Sequence, residues 1–205
     1  MNKIAPLAAA SLALTLILAG CSPASPDDTG KIPDTAPVAS TGPTGAQPEA
    51  LASAEPAKSS RGNLVKQIGE LAGTTSIPSG VVTSRFAVTD IVVDPECTSG
   101  FSDAPANGHF LGIHMNIETT PELADEAVPF LLFGPYDWQA YDGEGKRLND
   151  PMGNAWSCFD SGQLLPSQIG PGQSVSGWVV LDVAATTGSL VMTMAGGPTG
   201  WEWSY

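Results

Sequence analysis

Leu111, Ile113, Met115 and Ile117 alternate with Gly112, His114, Asn116 and Glu118. A period of two predicts a strand with one buried face, because successive side chains leave a pleated backbone on opposite sides. The same alternation sets Val175, Gly177, Val179, Leu181 and Val183 against Ser176, Trp178, Val180 and Asp182. Phe86 to Val93 is also strand-like, but its apolar phase shifts near Asp90, which predicts a bulge or kink. Further short strands are expected at Phe130–Phe133, Trp138–Tyr141, Ser189–Met194 and Gly200–Tyr205. In the last of these, Trp201, Trp203 and Tyr205 share one face, as a closing core strand would.

The connections carry turn chemistry. Asp142-Gly-Glu-Gly145 should reverse the strand at Tyr141 into Arg147-Leu148, and Gly170-Pro-Gly172 should lead into the strand beginning at Ser174. About seven short strands with regular turns predict an all-β antiparallel sandwich over residues 79–205. The absence of strand–helix alternation argues against a parallel α/β sheet.

Upstream of this domain the pattern changes twice. Residues 62–78 contain Leu64, Val65, Ile68 and Leu71 at helical spacing, interrupted by Gly69, so a short helix or turn docking on the domain is expected. Residues 21–61 are rich in Pro, Ala, Ser and Thr and show no apolar period. Such a segment cannot bury enough apolar surface to fold and is expected to be a disordered tether with an end-to-end span of ~40 Å.

Residues 1–20 hold Lys3, an apolar run from Ile4 to Leu18, and the sequence Leu18-Ala19-Gly20 directly before Cys21. A run of about 15 residues is short for a membrane span, which needs ~20. A plain secretory signal would explain the charge and length. It would not explain a Cys placed directly after two small residues. The expected reading is a lipoprotein signal peptide, removed so that Cys21 takes a diacylglyceryl lipid. Two acyl chains suffice for stable anchoring on the extracytoplasmic face of the cell membrane.

Charge and cysteine count agree with export. From residue 79 onward there are three basic residues, Arg85, Lys146 and Arg147, against 15 acidic ones, a net charge near −12. A domain this acidic repels phosphate backbones, so nucleic acid is excluded as a partner. With Cys21 lipidated, Cys97 and Cys158 remain as an even pair outside the reducing cytoplasm, and a disulfide between them is expected, two buried thiols being the alternative.

Three stretches, Phe86-Ala-Val-Thr-Asp-Ile91, Trp138-Gln-Ala-Tyr-Asp-Gly-Glu-Gly-Lys-Arg147 and Leu165 to Val183, together resemble a family of immunoglobulin-like bacterial lipoprotein domains of unknown function, also described as immunoprotective extracellular domains. The resemblance covers nearly all of residues 80–205. It implies an immunoglobulin-like sandwich on the outer face of a membrane. The family carries no established catalytic residues, so it assigns none here.

A search for chemistry along the chain is sparse. His109 and His114 are five apart on one strand and point to opposite faces, so they do not make a shared metal site. No nucleophile elbow, phosphate loop or dinucleotide fingerprint occurs. Glu122, Asp125 and Glu126 in one loop, with Asp94, Glu96 and Asp103 in another, could converge on calcium at one end of a sandwich, but solvated loop charge is the plainer account and no metal ligand is assigned. No cofactor is expected. Of the tryptophans 138, 156, 178, 201 and 203, Trp178 lies on the face of its strand opposite Val179 and Leu181, which makes it a candidate stacking residue for a sugar or a protein. The expectation is a monomeric, anchored, non-enzymatic binding module whose partner is an envelope protein or glycan. A structural envelope component and an unrecognised hydrolase are the alternatives.

Overall fold

The computed structural model describes residues 56–77 and 79–205. The expected signal peptide, Cys21 and nearly all of the expected tether lie outside the described residues. Among the described residues there are eight strands: β1 (Leu64–Val65), β2 (Ala72–Thr75), β3 (Val82–Val93), β4 (His109–Thr119), β5 (Trp138–Asp142), β6 (Ser174–Val183), β7 (Gly188–Met192) and β8 (Trp201–Ser204). They form two four-stranded sheets, ordered β1-β8-β7-β5 and β2-β3-β4-β6. All neighbours are antiparallel except β1 and β8.

The core is where the two apolar faces meet. Phe86, Val88, Leu111, Ile113, Met115, Val179 and Leu181 from one sheet pack against Trp138, Ala140, Leu190, Met192 and Trp203 from the other. Phe86 meets Phe133 and Trp201 edge-on, with ring centroids 5.2 and 4.9 Å apart. The alternation in β4 and β6 therefore selects the inner face as expected, and the closing strand β8 is a core strand.

The phase shift in β3 is a bulge. Val88 pairs with Met115 and Asp90 with His114, which leaves Thr89 as the extra residue. Phe86 and Val88 reach the core before it, and Ile91 and Val93 after it. One inserted residue thus keeps both halves of a phase-shifted sequence on the same side. Thr89 is held there by a hydrogen bond of 2.6 Å between its hydroxyl and His114 Nδ1.

Two sequence expectations are corrected. Of the helix or turn expected within 62–78, the described residues 62–77 hold no helix, and a turn stands at Gly69. Leu64 and Val65 form β1 beside β8, and residues 72–75 form β2 on the edge of the other sheet. Four apolar residues cannot hold a helix against open sheet edges that offer backbone partners, and Gly69 (φ +81°) marks the turn between the two strands. The sandwich thus begins upstream of residue 79. Phe130–Phe133 is not a strand either. It contributes a single bridge, Leu131 to Ile169, and otherwise forms loop.

The β1 segment is clamped by Glu202. Its carboxylate accepts hydrogen bonds from Arg61 Nη2 and, at 3.0 Å, from Asn63 Nδ2, while Asn63 Oδ1 accepts the Gly200 N–H at 3.0 Å. The Arg61 guanidinium also lies 4.2 Å over the Tyr141 ring. Burial pushes the Glu202 carboxyl up, but bonds from Ser59, Asn63 and Arg61 together with the Arg61 charge outweigh it, and the net direction is down.

Candidate binding groove

The outer face of β6 is covered by a layer that the strand pattern does not announce. Phe110, Trp178 and Val180 point away from the main core and pack beneath Ala155, Cys158, Phe159 and Leu164. These covering residues belong to the connection from β5 to β6. A disulfide joins Cys158 to Cys97 in the connection from β3 to β4, as expected. Thr98 and Ser99 N–H groups donate to the Cys158 carbonyl at 2.9 and 3.1 Å, so the two connections are knitted together around the cross-link.

Asp182 ties the same layer to the sheet. It is fully buried on the outer face of β6. Its carboxylate accepts the backbone N–H groups of Ala106 at 2.6 Å, Asn107 at 2.8 Å and Asn154 at 2.9 Å. Three converging N–H dipoles replace the water a buried carboxylate loses. Gly153 makes the approach possible: its φ is +37°, and a Cβ there would sit 2.2 Å from Asp182 Oδ2. Gly112 plays a similar part under Trp178, whose ring lies 3.1 Å from where a Cβ would stand.

Beside this layer lies a groove of about 420 Å³. One wall is the end of the connection from β4 to β5, Leu132 to Asp137, which closes with a 3₁₀ turn at Pro135–Asp137. The rest of the lining is Met152, Ala155, Trp156 and the segment Leu164–Ser167, with Trp178 and Val180 on the outer face of β6 as the floor. Three apolar side chains at this groove stand unusually open to solvent: Tyr136 is 86% exposed, Trp156 64% and Leu132 47%. A preformed concave surface with apolar walls and few polar groups is what small ligands occupy.

Asp137 is the groove's one charged side chain. It is half-buried, and burial pushes its carboxyl above the ordinary aspartate range, partly offset by a bond from the Gly134 N–H. Asp137 and Leu132 also line a second cavity of about 790 Å³, which extends past Leu123, Val128 and Phe130 towards β2. The two cavities therefore meet at Asp137.

The structure distributes the sequence candidates unevenly. Trp178 does reach the groove, but as a half-buried floor residue flanked by Phe159 (5.3 Å) and His114 (4.9 Å), not as an open platform. His114 bonds Thr89 and Ser176, at 2.6 and 3.2 Å, and His109 bonds Asp94 at 2.8 Å. The acidic loops do not converge: residues 94–103 precede one end of β4 and residues 122–126 follow the other. Eleven residues of strand separate them by ~35 Å. Among the described residues, no group of three or more His, Cys, Asp or Glu side chains is placed to hold a metal ion.

Tyr136, Trp156 and Asp137 were not distinguishable in the sequence as a group. They come from two connections 19 residues apart and carry no motif. The available signal was aromatic residues inside Pro- and Gly-rich loops, Gly134-Pro-Tyr136 and Gly153-Asn-Ala-Trp156, where no strand pattern demands burial.

No protein-family profile matches the chain, and no curated relative does. Among solved structures, it is similar to MPT63, a secreted protein of Mycobacterium tuberculosis, with 13% identity and a TM-score of 0.45 over 70% of this chain and 98% of that one. It is also similar to YcdA, described as a candidate lipoprotein of Bacillus subtilis subsp. subtilis str. 168, with 15% identity and a TM-score of 0.39. That match covers 60% of this chain and 36% of the other. At these scores the likeness carries no functional argument.

Proposed function

We propose that the chain is an extracytoplasmic, membrane-anchored, non-enzymatic binding module whose ligand occupies the groove between Tyr136 and Trp156. The observation that carries this reading is the pair of solvent-open aromatic rings at the mouth of a preformed apolar cleft. Apolar surface left in water is a standing cost that a ligand removes, at ~25 cal/mol per Å² buried. The wall around Trp156 is held by the disulfide at Cys158 and by the bond from Asn154 to Asp182, so little ordering of that wall is required when a ligand arrives. Anchoring follows from Leu18-Ala19-Gly20-Cys21. The N-terminal segment joins the sandwich at β1, one edge of its sheet, whereas the groove wall leads into β5 at the other edge. Three strand spacings, ~14 Å, separate the two edges.

The site is tested by NMR titration of the secreted Cys21→Ala chain with a panel of small aromatic and aliphatic probes. Shifts should concentrate at Tyr136, Trp156, Trp178 and their neighbours, and Trp156→Ala should weaken the best probe about fivefold. Shifts scattered over the surface would overturn the site. The anchor is tested by palmitate labelling in cells, which Cys21→Ala should abolish. A label retained by that variant would overturn the lipid attachment.

A further inference from the structure

We propose that the groove's ligand is a small organic cation: an ammonium group carrying apolar substituents, seated between the aromatic rings with its charge at Asp137. This rests on the groove being the ligand site and adds the chemistry that site selects.

Charge is the first support. Asp137 is the one charged side chain among the groove's lining residues, and no Lys, Arg or His stands with it. The ion pairs of the described residues are Arg61–Glu202, Lys66–Glu70 and His109–Asp94, so none of them engages Asp137. The adjoining cavity adds Glu126 and no basic group. An anionic ligand would meet this carboxylate and the surplus of acidic residues from residue 79 onward. A cation is drawn by both.

Aromatic chemistry is the second. Tyr136 and Trp156 at the mouth and Trp178 on the floor present three ring systems to one cleft. Aromatic faces carry negative electrostatic potential and attract ammonium groups, most strongly when water is excluded. An uncharged apolar ligand would gain the burial but strand the Asp137 carboxylate in a dry site, a costly outcome. For a sugar the side-chain acceptors are limited to Asp137, Ser167 and the Tyr136 hydroxyl, with the Trp156 and Trp178 indole N–H groups as further donors, few for a polyhydroxylated ring. Burial already holds the Asp137 carboxyl above its ordinary range, and a bound cation would supply the compensation the ionised form lacks. The volume of about 420 Å³ lies within the range of small-molecule sites.

The test uses the full secreted Cys21→Ala chain and three probes: choline, benzyltrimethylammonium, and 3,3-dimethylbutan-1-ol, the uncharged isostere of choline. Calorimetry gives affinities, and NMR shifts give the location. Both ammonium probes should bind in the groove, with choline about tenfold tighter than its isostere. Asp137→Asn should erase that preference, weakening choline and strengthening the isostere, which no longer strands a carboxylate. Trp156→Ala should weaken both cations. Equal affinity for choline and its isostere, together with an Asp137→Asn variant that binds choline as well as the parent, would overturn the cation and leave the groove standing. Groove shifts with a sugar and none with the ammonium probes would likewise overturn the cation alone. No groove shift with any of these probes or with the wider panel would overturn both readings.

Discussion

The two faces of β6 solve the same burial problem in different ways. Val179, Leu181 and Val183 on the inner face meet the opposing sheet with apolar contact alone. Trp178, Val180 and Asp182 on the outer face meet irregular chain, and there a disulfide and a carboxylate fix what apolar contact leaves loose. The difference is one of backbone partners. A sheet arrives with its hydrogen bonds already made, whereas a loop brings unpaired N–H groups that must find acceptors before it can be buried. Asp182 supplies acceptors for three of them. The groove opens beside this outer layer, where loops shape the surface.

Breaking the outer layer at the cross-link should have the largest effect. A Cys97→Ser, Cys158→Ser double variant loses closure of a 61-residue separation, ~4 kcal/mol in the chain-entropy model. Chemical denaturation should show that loss. Probe binding in the groove should fall with it, because Trp156 lies two residues from Cys158.

The comparison itself is sharpened by two neighbouring substitutions on β6. Leu181→Ala removes an inner side chain that is fully buried and should cost ~3 kcal/mol, with amide exchange accelerated across both sheets. Asp182→Ala should cost ~2 kcal/mol by leaving three N–H groups without their acceptor. Its accelerated exchange should be confined to residues 103–107 and 151–159. Identical exchange patterns in the two variants would mean that the outer layer is not a separate unit of stability.

A smaller effect belongs to the β1 clamp, which joins the N-terminal segment to the other sheet. The folded-state carboxyl of Glu202 lies below its ordinary value. Its contribution is therefore complete above the ordinary glutamate range and is lost as pH falls through the folded value. Glu202→Gln should lower stability by ~1 kcal/mol at pH 7. Thermal melts of the parent and the variant should converge as pH drops below the ordinary glutamate range. A gap that persists undiminished in strong acid would assign the effect to packing instead of charge.

Much of the fold was legible because it depends on local periodicity. β4 and β6 announce their buried faces by strict alternation, and the bulge at Thr89 is written as a shift of apolar phase. Leu64 to Leu71 misled because four apolar residues in eight fit one face of a helix, whereas only Leu64 and Val65 enter a strand and Ile68 and Leu71 stand exposed, an outcome decided by the open edge beside β8. Phe130 to Phe133 misled for a related reason. Its apolar residues are consumed by the core and the two cavities without any ladder of backbone partners.

The sequence by itself determined the all-β class, the inner faces of the long strands, the turns at 142–145 and 170–172, and the cysteine pair. Each is set by neighbours along the chain or, for the cysteines, by their number and expected compartment. The tertiary structure alone decided that β1 and β2 belong to the sandwich, that Asp182 holds the outer layer, and that Tyr136, Asp137, Trp156 and Trp178 share one groove. Those facts depend on which edge stays open and which loop folds back. Both are set by the balance of burial and backbone pairing over the whole domain, which no local pattern records.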